Sequence, residues 1–270
     1  MVLRLFAVCF VLVTGIVGPV AAQSVETLAR AIMLDDVIDI MREEGKDYAK
    51  ELEQELMPFG GGALWEQHVS RVYNTRAMRK TVVEALEATM TPDEIISATA
   101  FFETRAGREI LRLETAARRA MRDEDVEDFA WQAFRALPAG SSRRVAIERF
   151  IATNDLLERN VAGALSSNIQ FYRGMTAGGG IEMTEQQILS DVWSQEDELR
   201  DDTEKWLFGF AQLAYQPLSD TVLDNYIAFS ASPPGQSLNA GLFAGFDAMY
   251  RTISYRLGLG ASIAMNGSDL

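Results

Sequence analysis

The stretch Thr91-Pro92-Asp93-Glu94, followed by Phe101 and then by Thr104-Arg105-Ala106-Gly107, decides the fold class of this chain. Threonine at a helix N-cap accepts a backbone N–H, and proline is favourable at the first helical position. A glutamate three residues after the cap reaches back to the cap amide. Thr91 therefore predicts the start of one helix, and Thr104 predicts the cap of the next.

The same pattern returns 128 residues later, from Ser219 through Phe229 to Ser232-Pro233-Pro234-Gly235. Trp65 and Trp193 have the same separation, which predicts a duplicated chain. We take the residues of the two copies as a structural motif: Thr91, Pro92, Glu94, Phe101, Thr104, Gly107, Ser219, Phe229, Ser232 and Gly235.

Gly107 and Gly235 fall in the first turn of a predicted helix, where glycine is less favourable than alanine by about 1 kcal/mol. A glycine there allows the preceding helix to fold back, so that Phe101 or Phe229 packs against the turn. The alternative is that the first-turn N–H groups bind an anion or a peptide carboxylate. The motif thus predicts a joint between helices, with an anion site as the other possibility.

Residues Met90 to Ile110 resemble the core of the domain-of-unknown-function family 2059, whose members pair a "TPEEL" helix start with an aromatic residue and an "SPxG" turn. Residues 218–238 resemble a second copy. Arg105 stands where the family pattern has proline, and the second copy lacks the Pro and Glu of the capping box. The resemblance implies an exported, all-helical bacterial protein, and it brings no activity and no catalytic residues.

The rest of the chain is also predicted to be helical, because apolar residues recur at spacings of three and four and no stretch alternates apolar and polar residues as a strand would. We predict long uninterrupted helices over residues 64–89, 143–175 and 184–213, and an outward-facing pair of Glu114 and Arg118 on one helix. The all-α chain is predicted to form a bundle of two similar helical halves, a first repeat over residues 23–138 and a second over 139–270, joined at Pro138-Ala139-Gly140.

Residues 1–22 have the pattern of an export signal: Arg4, an uncharged stretch, and the small pair Ala21-Ala22. We predict cleavage after Ala22 and a periplasmic protein without a stable membrane anchor. The alternative is a retained anchor, since the apolar run could just span a bilayer.

The formal net charge of −14 argues against nucleic-acid binding, because contact with phosphates requires clustered lysine and arginine. It equally disfavours docking on anionic lipid head groups. We therefore predict that the partner is another protein or a small apolar ligand.

The sequence offers no strong catalytic or metal-binding pattern. His68 is the single histidine, and without cysteine or a second histidine it cannot anchor zinc. The acidic runs at residues 123–128 and 196–204 are interpreted as solvated helix faces, because the spacing of a calcium loop is absent. We predict no cofactor, no metal and no enzymatic activity.

The segment from Leu238 to Ala264 is rich in glycine, alanine and large apolar residues. It is predicted to pack closely at the centre of the fold, or else to line an apolar cavity for a lipid-like ligand or a partner helix.

Together, these interpretations of the sequence give three hypotheses for the function. The first is a binding or protein-interaction module of the envelope, the second is a carrier of a small apolar molecule, and the third is a hydrolase with two carboxylates facing each other across a cleft.

Overall fold

The computed structural model describes residues 18–57 and 60–267, and these residues form thirteen α-helices and no strand. The prediction of an all-α fold is therefore confirmed. Residues 1–17 of the predicted export signal lie outside the described residues. The helices are α1 (Gly18–Ala31), α2 (Leu34–Leu56), α3 (Gly62–Val72), α4 (Thr75–Thr89), α5 (Pro92–Phe102), α6 (Arg105–Ala120), α7 (Glu124–Arg135), α8 (Ser142–Thr153), α9 (Leu156–Ala177), α10 (Glu185–Ser194), α11 (Glu196–Tyr215), α12 (Asp220–Ala231) and α13 (Pro233–Met265).

Each of the three long helices predicted from the sequence is in fact two helices, so these predictions were wrong. The first breaks at Asn74, whose side-chain oxygen accepts a hydrogen bond from the backbone N–H of Ala77 at 3.0 Å and so caps α4. The second breaks at Asp155, which has a left-handed backbone with φ of 52°. The third breaks at Gln195, between α10 and α11.

Buried residues on both sides of the predicted boundary at residues 138 and 139 form one hydrophobic cluster. Leu28, Trp65 and Ile110 belong to it from the first half, and Leu223 and Leu257 from the second. The boundary itself lies in the connection between α7 and α8. The two halves therefore share a core, while their origin by duplication remains a prediction.

Helix α13 runs through this core and packs closely on its neighbours through glycines. A Cβ at Gly245 would lie 2.8 Å from the Cα of Val82, and one at Gly241 would lie 3.0 Å from Cδ2 of Leu86, both on α4. Such distances leave no room for a side chain. The small residues of α13 therefore let the last helix lie directly against α4.

Within the described residues, no helix is both long enough and apolar enough to cross a bilayer.

Candidate functional site

The two copies of the motif meet each other in the structure. The rings of Phe101 and Phe229 stack with their centroids 4.0 Å apart and their planes 8° from parallel. Phe102 meets Phe229 edge-on, with centroids 5.4 Å apart. Stacked and edge-on ring pairs are favourable beyond the area they bury. The motif aromatics therefore join the two halves of the chain.

The caps and glycines have the same local geometry in both copies. The hydroxyl of Thr104 accepts from the N–H of Gly107 at 2.9 Å, and that of Ser232 accepts from the N–H of Gly235 at 3.4 Å. A Cβ at Gly107 would overlap the carbonyl oxygen of Phe101, and one at Gly235 would overlap that of Phe229. At both joints, the absence of a Cβ at the glycine allows the backbone of the preceding helix to lie against it.

The remaining motif residues stabilise the N-termini of helices. Thr91 and Glu94 form a reciprocal capping box with Pro92 in the first turn of α5, and the hydroxyl of Ser219 accepts from the N–H of Val222 at 3.4 Å. Glu94 also accepts a hydrogen bond from the hydroxyl of Ser237 on α13 at 2.6 Å. This bond and those from Thr91 hold the pKa of Glu94 below its usual value.

Glu114 does not form the outward-facing pair with Arg118 that the sequence predicted. Its carboxylate instead accepts hydrogen bonds from the hydroxyls of Tyr215 at 2.6 Å and Tyr226 at 3.1 Å. Burial raises the pKa of Glu114 to about 6, although both tyrosine hydroxyls act to lower it. The prediction was wrong because helix spacing reports which residues share a face, and both tyrosines come from the other half of the chain.

A cleft of about 970 Å³ lies between α9, α11 and α13 and extends to α6 and α7. The contribution of α13 is one face of the helix, because its lining positions recur at spacings of three and four: Asn239, Leu242, Phe243, Phe246, Asp247 and Tyr250. The facing side of α9 offers the small residues Gly163, Ala164 and Ser167. We call the α13 side, with its large side chains, the bulky wall, and the α9 side, with its small side chains, the shallow wall.

The bulky wall is largely aromatic. Phe243, Phe246 and Tyr250 line it from α13, and Trp206 faces it from α11. The guanidinium of Arg118 lies 5.9 Å from the centroid of the Trp206 ring, and the guanidinium of Arg159 lies 5.3 Å from that of Phe243. Both distances are typical of cation–π contacts.

The basic side chains of the cleft are paired with acids. Arg118 donates two hydrogen bonds to Glu44, at 2.9 and 2.8 Å. Lys205 lies 2.7 Å from Asp128 and 3.5 Å from Glu127, both on α7. Both of these cations are therefore already neutralised.

Arg159 is less completely paired than the other two. Its Nε lies 3.5 Å from the carboxylate of the exposed residue Asp155. The Nε–H is nevertheless buried, and no acceptor within the described residues has hydrogen-bonding geometry to it. A donor of this kind beside a cleft is available to a ligand.

Asp247 is an acid in the α13 wall of the cleft. It is half-buried, and a Cβ at Gly163 would lie 2.8 Å from its Oδ1, so the carboxylate rests against the bare backbone of α9. Burial raises the pKa of Asp247, while the charges of Arg159 and Arg251 act to lower it. No ion pair within 4 Å joins Asp247 to a basic side chain among the described residues.

The two acidic runs have a role that the sequence did not reveal. Glu124 and Asp128 of the first run and Asp202 of the second are exposed, as expected for solvated faces, but all three line the mouth of the cleft. Asp123 caps α7. Among the described residues, no three acidic, histidine or cysteine side chains come together as a metal site would require.

His68 lies away from the cleft. Its Nε2 is 2.9 Å from the carbonyl oxygen of Arg256, and its ring stacks on Trp65 with centroids 5.9 Å apart. Burial lowers its pKa. These contacts are those of a packed side chain between α3 and α13.

The sequence prediction missed the cleft as a site, although it named α13 as a possible cavity wall. The one local signal was the recurrence of large apolar residues at Leu242, Phe243, Phe246 and Tyr250 beside Asp247, a charged residue within an otherwise apolar face. The opposite wall comes from helices whose relative positions no spacing in the sequence determines.

Comparison with known proteins matches the segment that contains the first copy of the motif to a family model. Residues 76–130 match the model of the family described as "Uncharacterized protein conserved in bacteria (DUF2059)". No curated protein and no solved structure was found to match the chain. The second copy lies outside the matched residues and remains a prediction. The resemblance to DUF2059 is thus confirmed over residues 76–130.

Proposed function

We propose that this protein is a non-enzymatic binding protein of the bacterial envelope, and that the cleft between α9, α11 and α13 holds a small amphipathic molecule. The observation that carries the proposal is the cleft of about 970 Å³ with an aromatic wall and a polar mouth. Pockets for small ligands have volumes of roughly 300–1,000 Å³ and combine apolar walls with a few polar groups. This favours the carrier over the general interaction module among the hypotheses drawn from the sequence.

The envelope location in this proposal is supported by the export pattern of residues 1–22. Cell fractionation followed by N-terminal sequencing tests it. We expect the protein in the periplasmic fraction with Gln23 as its first residue. An intact N-terminus in the membrane fraction would support the retained anchor instead.

A fluorescence titration with N-phenyl-1-naphthylamine, a neutral apolar probe, tests binding in the cleft. We expect saturable binding at one site, and loss of that site in Ala164→Trp, because Ala164 lies on the shallow wall and an indole there fills the space. Ala162→Trp is the matched control, since Ala162 is exposed on the same helix and does not line the cleft.

Equal binding by both tryptophan variants and the wild type would place the probe elsewhere and contradict the proposal. Native mass spectrometry of protein purified from its own envelope gives a second readout, a co-purifying small molecule that Ala164→Trp lacks. Hydrolysis of glycosides by the purified protein, lost in Asp247→Asn, would support the hydrolase hypothesis instead.

A protein partner is the second candidate, and the exposed apolar residues of α10 favour it. Trp193 is 56% exposed, and Leu189 lies one turn away on the same helix with 36% exposure. Exposed aromatic residues are frequent anchors of interfaces. Cross-linking in intact cells with a photoreactive residue at position 193 tests this candidate, with position 96, also exposed and apolar, as the control.

A further inference from the structure

We propose that the ligand of the cleft is an amphipathic organic cation, with its ammonium group between Asp247 and the ring of Phe246 and its apolar part against the small residues of α9. This inference rests on the proposed function, since it names the chemical class of the molecule that the cleft binds. It is argued from the distribution of charge, from the surroundings of Asp247 and from the aromatic wall.

The distribution of charge disfavours an anionic guest. The guanidinium of Arg118 is held by two hydrogen bonds to Glu44, which does not line the cleft, and Lys205 is held by Asp128 and Glu127. An anion would have to compete with these carboxylates for both cations. The third cation of the cleft, Arg159, lies 3.5 Å from the carboxylate of Asp155 and over the ring of Phe243. Asp247 and, at the mouth, Glu124 and Asp202 form no ion pair with a described basic side chain, so the charge left over in the cleft is negative.

The surroundings of Asp247 suit a cation. Its carboxylate is half-buried against Gly163, where a side chain would fill the space beside Oδ1. A partly buried carboxylate without a close counter-ion is less stable than one that is paired. An ammonium group in the cleft would supply that close counter-ion, since Arg159 and Arg251 act on the carboxylate only from beyond 4 Å.

The aromatic wall supports the same class of ligand. Phe246 precedes Asp247 in α13, and Tyr250 follows one turn later on the same face. The ring of Phe243 already has the guanidinium of Arg159 beside it, whereas no described cation lies over the ring of Phe246. Aromatic faces attract ammonium groups, and the net charge of −14 draws cations toward the protein as a whole.

Isothermal titration calorimetry with three octyl amphiphiles tests the inference: octyltrimethylammonium, octyl glucoside and octyl sulfate, each below its micelle concentration. The apolar chain is the same, so differences in affinity report the head group. We expect one site, with the cation binding about tenfold more tightly than the other two. In Asp247→Asn we expect the cation to bind about tenfold more weakly while octyl glucoside binds unchanged.

Asp39→Asn is the matched control, because Asp39 is exposed on α2 and its substitution removes the same charge away from the cleft. It should leave all three affinities unchanged, which separates a specific contact from general attraction to an acidic protein. Phe246→Leu is a second variant that retains the apolar volume, and it should weaken the cation more than octyl glucoside.

The outcomes distinguish the two proposals. Equal affinity for the three head groups, tighter binding of the sulfate, or an unchanged affinity in Asp247→Asn would overturn the cation assignment and leave the binding function standing. Failure of all three amphiphiles and of N-phenyl-1-naphthylamine to bind would overturn the proposed function itself. Circular dichroism of each variant confirms that it is folded before its affinity is compared.

Discussion

At the scale of single residues, Glu114 is the most unusual group in the described part of the chain. Its carboxylate lies inside the fold, where the hydroxyls of Tyr215 and Tyr226 both donate to it. Because burial raises its pKa from 4.5 to about 6, the folded state binds a proton at this residue more tightly than the unfolded chain does. We therefore expect this carboxyl to contribute to the pH dependence of the stability of the protein.

We predict that Glu114→Gln changes the pH dependence of unfolding. The contribution of Glu114 to the free energy of unfolding is greatest below about pH 4.5 and falls by about 1–2 kcal/mol as the pH rises through about 6. A glutamine oxygen still accepts from both tyrosines and carries no charge, so the variant should gain stability relative to the wild type over this range. Urea unfolding between pH 4 and 8 measures the difference.

Glu87→Gln is the control for this measurement, because Glu87 is exposed on α4. Its stability should follow that of the wild type at every pH. If the curve for Glu114→Gln also ran parallel to the wild type, the carboxyl of Glu114 would not titrate differently in the folded state.

At the scale of helices, the joint of each motif depends on a backbone contact. At Gly107 a Cβ would lie 2.6 Å from the Cα of Phe102, and at Gly235 it would lie 2.8 Å from the Cα of Ser230, in addition to overlapping the carbonyl oxygens of Phe101 and Phe229. Backbone atoms cannot rotate away as a side chain can, so the whole preceding helix would have to move.

We predict that Gly107→Ala and Gly235→Ala each lower the free energy of unfolding by about 1–3 kcal/mol, although alanine is the better helix former by about 1 kcal/mol. Gly163→Ala is the matched control, because the Cβ there meets only the end of the flexible Asp247 side chain, at 2.8 Å. It should unfold at equal or higher urea concentration than the wild type. Wild-type stability in Gly107→Ala would show that α5 and α6 do not touch in this way.

The helix breaks show what spacing in the sequence can and cannot predict. Caps made by Thr, Ser and Pro could be read directly, because their chemistry is local and identifies the start of a helix. The break at Asn74 was missed because apolar residues continue on both sides of it, at Val69 and Val72 and then at Met78. Asp155 was missed because its left-handed backbone, with φ of 52°, occurs without the glycine that usually accompanies this conformation.

At the scale of the whole molecule, the two halves are joined by stacked rings. Phe101 from the first half lies face to face with Phe229 from the second, with centroids 4.0 Å apart, and 6.0 Å from Tyr226. The carboxylate of Glu114 crosses the same boundary to reach its two tyrosines. The motif thus forms one of the contacts between the two halves, beside the packing of α13 on α4.

A double-mutant cycle of Phe101→Leu and Phe229→Leu tests the interaction between these two rings. We predict a coupling energy of about 0.5–1.5 kcal/mol, because either substitution alone already removes the stack. Phe101→Leu combined with Phe208→Leu is the control, since Phe208 stacks on Phe134 in a different ring pair, and there the two losses should add. Additive losses at Phe101 and Phe229 would show that the rings do not interact.

The cleft belongs to the whole molecule, and this is why the sequence did not reveal it. Its walls come from α9, α11 and α13, and its mouth from α7, so no single stretch contains the pattern. The acidic residues Glu124 and Asp202 could be recognised as exposed from their neighbours in the chain. Their position beside an aromatic wall depends on how the helices pack.

The glycines between α9 and α13 have a mechanical consequence. A Cβ at Gly174 would overlap the carbonyl oxygen of Tyr255, and one at Gly258 would overlap that of Phe171. The backbones of the two helices are therefore in direct contact at both glycines. Two helices packed this closely resist sliding and twisting relative to each other, so we expect α9 and α13 to move as one rigid unit. We therefore expect any adaptation of the cleft to the proposed ligand to occur on the α11 side instead of between α9 and α13.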